Sequence, residues 1–232
     1  MNIALLFYGQ PRFIGHPEIY QSYKQNIIDK YNVDIYCHCW LPNNAGKYET
    51  SQWSHISNCK AEDGAVQTIM NQYDPVKIIF EKPKYFECSQ KIHNFFSHNK
   101  FSPHNYHYSE TDFNNICSQL YSIEQVSNLV EKSYDFYILA RYDSIIKNCL
   151  DYTSIKNNKL YCPNTHNNMP DMIMSFGPKY LSWSKNLYTD ILDVYPNVAN
   201  PTPESFKKST FLNRHSQIDI MPCDMDAIAI RK

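Results

Sequence analysis

An arginine and an aspartate stand two residues apart at the end of a predicted buried strand. Residues 134–140 form a mainly apolar run, and Arg141 and Asp143 follow it. In open α/β sheets, ligands bind at the carboxyl ends of the strands, so we expect both side chains at a ligand-binding edge. A cation and a carboxylate that arrive there together suit a phosphate-bearing ligand, with or without a divalent metal ion.

The spacing of Arg141 and Asp143 alone leaves three interpretations open. The two residues could form a surface ion pair, which contributes ~0–1 kcal/mol. Asp143 could be a metal ligand, because Mg²⁺ and Mn²⁺ prefer carboxylate oxygens together with substrate phosphates. Alternatively, Arg141 could bind a phosphate through two N–H groups while Asp143 accepts a hydrogen bond from a ribose hydroxyl. Their place at a strand end favours the last two interpretations.

A second predicted strand end carries another arginine. The chain opens with an apolar run over residues 3–8, and Gly9, Gln10, Pro11 and Arg12 follow. Such a run is typical of a central strand that is covered on both faces. The turn has a single glycine, and the chain contains no G-x-G-x-x-G, P-loop or G-x-S-x-G pattern. The sequence therefore disfavours dehydrogenases, P-loop kinases and α/β-hydrolases.

Further polar residues have both a functional and a structural interpretation. Asp171 follows Pro170 and could be a general base, could bind an acceptor hydroxyl, or could be a turn residue. His38 and Trp40 share the polar face of a predicted strand. These two side chains could flank a bound ring or could close the edge of the core.

Other candidates fit structural roles better. Asp224 and Asp226 form a D-x-D pattern between two predicted strands, where a turn is expected. His215 could be a ligand or a base, but a lone histidine is usually neither. The eight cysteines match no zinc-binding template, and Cys37 and Cys39 are expected to be small core residues on one face of a strand.

Alternating strand and helix patterns predict how these residues are positioned. A strand over residues 3–8, a helix that begins at Pro17 and a strand over residues 33–40 form a strand–helix–strand unit, which builds parallel sheets. The aperiodic segment 81–108 is predicted to be a functional loop. Further helices are predicted over residues 65–73, 109–130 and 181–195 and from Pro203 behind a Thr202 cap, and further strands over residues 76–80, 134–140, 160–162, 172–176, 218–220 and 227–230.

Length and charge limit the class of protein. A chain of 232 residues can hold one α/β domain of good size, and without a repeat or linker we predict a single domain over residues 1–232. Lys and Arg number 22 against 23 Asp and Glu, with no basic cluster, so no nucleic-acid or membrane-surface partner is expected. No run approaches the ~18 apolar residues of a membrane span and no leader precedes the first strand, so a reduced, cytoplasmic setting is expected.

In combination, these pieces resemble a group of glycosyltransferases from bacteria, phages and large viruses. The resemblance covers most of the chain, and the combination is more specific than any single motif. It implies a GT-A-like α/β fold, in which a mixed, mostly parallel sheet with a Rossmann-like nucleotide-binding half lies between helices. The pieces that match are residues 3–12 with Gly-Gln-Pro-Arg, 34–40, 77–81, 120–123, 134–143 and 171–177, and the pair Pro203 and Glu204.

The resemblance also implies a function and a set of donor-binding residues. Such an enzyme moves a sugar from a nucleotide-diphosphate sugar to a glycan hydroxyl, in the cytoplasm or, for a virus, in that of the host. Gly9, Gln10 and Arg12 would lie against the nucleotide or its phosphates. His38 joins them as a donor-binding candidate that could flank a bound ring.

On the catalytic side, Arg141 and Asp143 would occupy the position at which GT-A enzymes carry Asp-x-Asp. Arginine in the first place is a departure, because a fixed cation could neutralise the leaving diphosphate in place of Mn²⁺ or Mg²⁺ on Asp143. Asp171 would be the base if the reaction inverts, and Glu204 would be a second acceptor-side candidate. We expect the guanidinium groups of Arg12 and Arg141 to converge on one pocket of the size of a diphosphate.

Two other classes remain open at this point. A nucleotidyltransferase that acts on sugar phosphates could share the sheet and an acidic strand end, although it would be expected to have a first loop rich in glycine and lysine. A non-catalytic glycan-binding module would suit the 19 tyrosines and the segment 81–108. Such a module would not need arginines at two strand ends.

Overall fold

The computed structural model describes residues 1–41, 64–87, 110–164, 169–195 and 202–230, together with residues 90, 94 and 198. The predicted loop over residues 81–108 lies mostly outside the described residues. Nine strands occur within the described part: β1 (Asn2–Tyr8), β2 (Asn32–Trp40), β3 (Lys77–Glu81), β4 (Phe136–Arg141), β5 (Ser144–Asn148), β6 (Leu160–Pro163), β7 (Ile173–Phe176), β8 (Ile220–Cys223) and β9 (Asp226–Ala229).

Seven of these strands form one mixed sheet. The strand order is β3-β2-β1-β4-β7-β6-β8, and β1 lies between β2 and β4 as the apolar run predicts. Neighbours are parallel from β3 to β4 and again between β6 and β8. β7 is antiparallel to both β4 and β6. The expected α/β fold with a mixed, mostly parallel sheet is therefore confirmed.

Helices cover both faces of this sheet, as expected. Alternate residues of β1 face opposite cores: Ile3, Leu5 and Phe7 pack on one side, and Ala4 and Leu6 on the other. The first core is covered by α1 (Pro17–Tyr23) and α2 (Ala65–Thr68), which continue as π-helical turns over Lys24–Ile28 and Ile69–Tyr73. The second is covered by α3 (Glu110–Asn128), α4 (Leu181–Ser184), α5 (Ile191–Val194) and α6 (Pro203–Arg214).

The structure departs from the predicted elements in three places. Strand β5 was not predicted, and it pairs with β9 in a separate two-stranded sheet. The helix predicted over residues 181–195 is divided, because the N–H groups of Tyr188 and Thr189 donate to the Glu124 carboxylate at 2.9 Å each. The strand predicted over residues 218–220 is a 3-10 turn over Gln217–Asp219, and β8 begins only at Ile220. The single-domain organisation stays a prediction.

Candidate functional site

The two arginine-bearing strand ends lie side by side. β1 and β4 are parallel neighbours, and their register places Tyr8 beside Arg141. The turn after β1 and the segment after β4 therefore reach the same carboxyl edge of the sheet. This edge is where ligands bind in open α/β sheets.

The antiparallel strand β7 brings a third candidate to this edge. Ile173 pairs with Ala140 near the carboxyl end of β4. Because β7 runs against β4, Asp171, which precedes β7, lies beside Arg141 rather than at the opposite edge. The main-chain carbonyl of Asp171 also accepts a hydrogen bond from the Tyr8 hydroxyl at the end of β1.

Both guanidinium groups converge on the carboxylate of Asp143. Arg141 donates from Nε to Oδ1 at 2.9 Å and from Nη2 to Oδ2 at 2.6 Å. Arg12 donates from Nη2 to the same Oδ2, also at 2.6 Å. Arg12 and Arg141 therefore converge as predicted, but the group between them is the Asp143 carboxylate, which is only 2% exposed. A pocket of the size of a diphosphate at this place stays a prediction.

Arg141 uses its remaining Nη1 group on a second carboxylate. Nη1 lies 2.5 Å from Oδ2 of Asp171, whose side chain is 25% exposed. Arg141 therefore bridges two aspartates, one enclosed and one within reach of solvent. On the other arginine, Nε of Arg12 is buried and has no partner among the described residues. The cluster holds two cations and two anions, and it still has an unused donor.

The cluster keeps both aspartates ionised. Burial acts to raise the pKa of the Asp143 carboxyl, but the guanidinium groups of Arg141 and Arg12 outweigh it and lower the pKa. For Asp171, desolvation again acts upward, while Arg141 and Lys207 bring the pKa below its usual value. A carboxyl with a lowered pKa is a weak general base near neutral pH. Asp171 can therefore act as a base only after Arg141 gives up part of this contact.

Asp143 does not fit the role of a metal ligand as it is arranged here. Three guanidinium N–H groups already occupy its two oxygens. A divalent cation at the same carboxylate would have to displace an arginine or lie against one. Within the described residues there is also no cluster of three or more His, Cys, Asp or Glu side chains that could hold a metal ion. The geometry makes Asp143 an anchor for two arginines.

The turn after β1 is fixed at several points. Gly9 has φ +96°, a conformation that side-chain-bearing residues rarely adopt, and its N–H donates to Ser122 Oγ at 2.8 Å. Its carbonyl accepts from the Trp40 N–H at 3.0 Å. The Gln10 carbonyl accepts from the Arg12 N–H at 2.8 Å. The turn therefore holds the Arg12 side chain against Asp143.

His38 lies behind this turn rather than at its surface. The ring is fully buried, with Nδ1 2.6 Å from Ser122 Oγ and Nε2 2.9 Å from the Glu81 carboxylate. Burial lowers the pKa of His38, although Glu81 acts in the opposite direction. With both nitrogens engaged, His38 has none free to contact a ligand. Any effect on a donor would pass through Ser122 and Gly9.

The weaker candidates lie in different places. Glu204 is in the first turn of α6, and its charge acts on the pKa values of Tyr8 and Lys207, which places it near the cluster. Asp224 and Asp226 are exposed, in the β8–β9 connection and the start of β9, as a turn interpretation requires. His215 follows α6, and its ring contacts those of Tyr180 and Phe211. Cys37 and Cys39 are both fully buried, as expected.

Sequence reasoning missed three residues that support the cluster. Glu81 ends the apolar strand β3, so the strand-end argument used for Arg141 could have found it. Ser122 lies on the buried face of α3 between Leu120 and Ile123, where a hydroxyl needs a partner. Lys207 lies on the apolar stripe of α6 beside Phe206 and is fully buried. A lysine among the apolar positions of a predicted helix could have indicated a buried, functional side chain.

Comparison with known proteins gives a likeness in fold only. No protein-family model and no curated protein matches the chain. The apo-form glycosyltransferase GlyE of Streptococcus pneumoniae TIGR4 is similar at TM-score 0.45 and 11% identity, over 94% of this chain and 44% of that chain. The galactosyltransferase LgtC, in complex with donor and acceptor sugar analogues, is similar at TM-score 0.44 and 11% identity, over 96% of this chain and 73% of that one.

The extent of these matches limits their meaning. This chain spans less than half the length of GlyE. At 11% identity the likeness assigns no activity, because one fold hosts many unrelated functions. In the part of the chain that the structure describes, no helix has both the length and the apolar character needed to cross a bilayer.

Proposed function

We propose that this chain is a glycosyltransferase that moves a sugar from a nucleotide-diphosphate sugar to a hydroxyl of a glycan. The observation that carries the proposal is the convergence of two guanidinium groups, from the ends of β1 and β4, on a single oxygen of Asp143. Paired arginines at the carboxyl edge of an α/β sheet suit the two phosphates of such a donor.

In the proposed reaction the acceptor oxygen attacks the anomeric carbon of the donor sugar. The bond between that carbon and the diphosphate oxygen breaks, and the nucleoside diphosphate leaves with the electron pair. Arg12 and Arg141 stabilise the charge that develops on the leaving group, because their positions are fixed before the reaction by Asp143. The proton of the acceptor hydroxyl passes to Asp171.

Donor binding and the basicity of Asp171 are coupled in this proposal. Arg141 is shared between Asp143 and Asp171, and its Nη1 contact is the one that faces the partly exposed carboxylate. A diphosphate that takes this N–H group removes the main cation that lowers the pKa of Asp171. The carboxylate then becomes a stronger base next to the bound donor. The base is therefore weak until the donor is in place.

The direct test is thermal unfolding of the protein with a panel of donors: UDP-glucose, UDP-galactose, UDP-N-acetylglucosamine and GDP-mannose, each with EDTA and with Mn²⁺. We expect at least one to raise the melting temperature in EDTA, and Arg141→Met to abolish the rise. Stabilisation by nucleoside triphosphate with pyrophosphate exchange would favour a nucleotidyltransferase instead. No response to any nucleotide, with stabilisation by glycans, would favour a binding module and overturn the proposal.

A further inference from the structure

The segment that carries Asp171 is fixed by three different elements. The carbonyl of Pro170 accepts from Lys207 Nζ of α6 at 2.7 Å. The next carbonyl, that of Asp171, accepts from the Tyr8 hydroxyl of β1, and that of Met172 accepts from the Arg141 N–H of β4 at 3.1 Å. Three consecutive carbonyls are thus each held from a separate direction. Lys207 is the one donor of the three that comes from a helix outside the sheet.

The burial of a lysine at this position is unfavourable for the stability of the fold. The residue is 0% exposed, and its ammonium forms no ion pair within the described residues. Burying an ammonium without a paired carboxylate is unfavourable for stability, and the Pro170 carbonyl is a neutral partner that compensates only part of the lost hydration. Stability of the core therefore does not explain a lysine here.

The electrostatic surroundings connect this lysine to Asp171. Burial lowers the pKa of Lys207, while the charges of Glu204 and Asp171 act to raise it. The Lys207 charge in turn helps Arg141 to lower the pKa of Asp171. The Tyr8 hydroxyl, whose pKa is raised by burial, completes the groups that face Asp171 from the surrounding elements. Asp171 therefore lies between two cations. Arg141 contacts its side chain, and Lys207 binds the main-chain carbonyl of the preceding residue.

We propose that Lys207 is a positioning residue that fixes the Asp171 carboxylate at the edge of the sheet where the acceptor hydroxyl is deprotonated. The proposal rests on the function proposed above, in which Asp171 takes that proton. Lys207 does not touch the reacting atoms. It holds the carbonyl one residue before the base, and a displacement of about 1 Å at such a point can cost about a hundredfold in rate.

The test compares Lys207→Met with Lys208→Met, the same change one position along the helix. In the ligand-free protein, carbon-13 NMR titration should show a higher pKa for Asp171 in Lys207→Met and no change in Lys208→Met, with amide shifts at residues 171 and 172 only in the former. The melting temperature of Lys207→Met should equal or exceed that of the wild type. This part of the test needs no donor.

Kinetics then separate positioning from simple folding. With the panel donor that stabilises the wild type most, kcat for release of nucleoside diphosphate should fall about tenfold to a hundredfold in Lys207→Met, with KM nearly unchanged. The acid limb of its pH profile should move to higher pH. A lower melting temperature with unchanged kcat and unchanged Asp171 pKa would overturn the proposal. If no donor binds, the proposed function fails, while the NMR comparison still decides the role of Lys207.

Discussion

In the described part of the chain, the two edges of the central sheet differ: the amino edge carries a cavity, and the carboxyl edge carries a cluster of ionic groups. At the amino edge, a cavity of about 540 Å³ opens where β1 and β4 begin, and it is lined by Met1, Asp135, Phe136, Tyr152, Thr153, Ile155, Lys156, Asn157 and Asn158. Its ionic groups do not pair with one another. At the carboxyl edge, two arginines and two aspartates are in direct contact, and the pKa values of both aspartates are lowered by the neighbouring cations.

Among the described residues, the cavity and the ionic cluster therefore lie at opposite edges of the sheet. The strands of an α/β sheet deliver side chains to their carboxyl ends, where loops can differ without disturbing the core. The amino edge serves the packing of the chain, as when Asp135 accepts a hydrogen bond from the Asn2 N–H at 2.7 Å. Substitutions at the two edges should therefore have different signatures.

The largest effect is expected from Arg141→Met. The change leaves Asp143 with one arginine and Asp171 with none, and breaking a buried ionic contact costs about 3–5 kcal/mol of unfolding free energy. Nucleotide-sugar binding should be lost as well. Urea unfolding and isothermal titration measure both quantities. The control is Lys156→Met at the amino-edge cavity, where a surface change should stay within about 0.5 kcal/mol; equal losses in both variants would contradict the comparison.

A purely structural loss is expected from Gly177→Ala. A Cβ atom at Gly177 would lie 1.4 Å from the Asn157 carbonyl oxygen, so the backbone near the amino-edge cavity must shift. Overpacking of this kind costs about 1–3 kcal/mol. Because the carboxyl edge is untouched, donor affinity measured well below the melting temperature should not change. A weakened donor affinity at unchanged stability would show that the two edges are not independent.

Low pH should reduce the unfolding free energy that the ionic cluster at the carboxyl edge contributes. The pKa values of Asp143 and Asp171 are lowered in the folded state, so their contribution is present above the unfolded pKa of about 3.9 and is lost as the pH falls through the folded values. Unfolding free energy should therefore decrease as the pH falls below the unfolded pKa. Asp143→Asn should reduce this pH dependence, because it removes one of the two carboxyls whose pKa is lowered by folding. Asp224→Asn, at an exposed turn, provides the control, and identical acid profiles for the two variants would be inconsistent with this assignment.

The smallest effect is expected from Asp171→Asn, for which the direction of the change in anion affinity is the informative result. In the free protein Asp171 competes with a phosphate for Arg141, so Asp171→Asn should tighten the binding of inorganic pyrophosphate. Loss of one charge-assisted contact at a partly exposed site corresponds to about 1 kcal/mol, or about fivefold in affinity. Isothermal titration in EDTA measures it, with Asp135→Asn at the amino edge as the control. Weaker binding would mean that Asp171 helps to hold the anion, as a metal-bridged site would require.

The sequence allowed the carboxyl edge to be predicted because its signals are local. Each apolar run ends at a residue that can be counted, so Arg12, Arg141 and Asp143 could be placed at the ends of two predicted strands. The structure adds that these strands are parallel neighbours, which brings the two guanidinium groups together. The strand–helix–strand opening was equally readable, because both periodicities are clear over residues 3–40.

What could not be predicted depends on contacts between distant segments. The antiparallel direction of β7 places Asp171 beside Arg141, and nothing within residues 171–177 encodes that direction. Strand β5 is stabilised by pairing with β9, more than 70 residues later. The two interpretations of His38 stay open from sequence because the burial of its strand face depends on packing against α3. In the sequence, Lys207 and Lys208 look like a pair of solvated lysines. Only the packing of α6 against the sheet shows that Lys207 is buried.

The anchoring of the first turn has a consequence for how a ligand would be captured. Gly9 is tied to Ser122 and Trp40, and Arg12 is tied to Asp143, before any ligand arrives. The entropy lost in ordering this turn is therefore borne during folding and not during association. A receptor assembled in advance needs no slow rearrangement of residues 9–12, so encounter with an anion would be governed by diffusion and by the ionic strength of the solution.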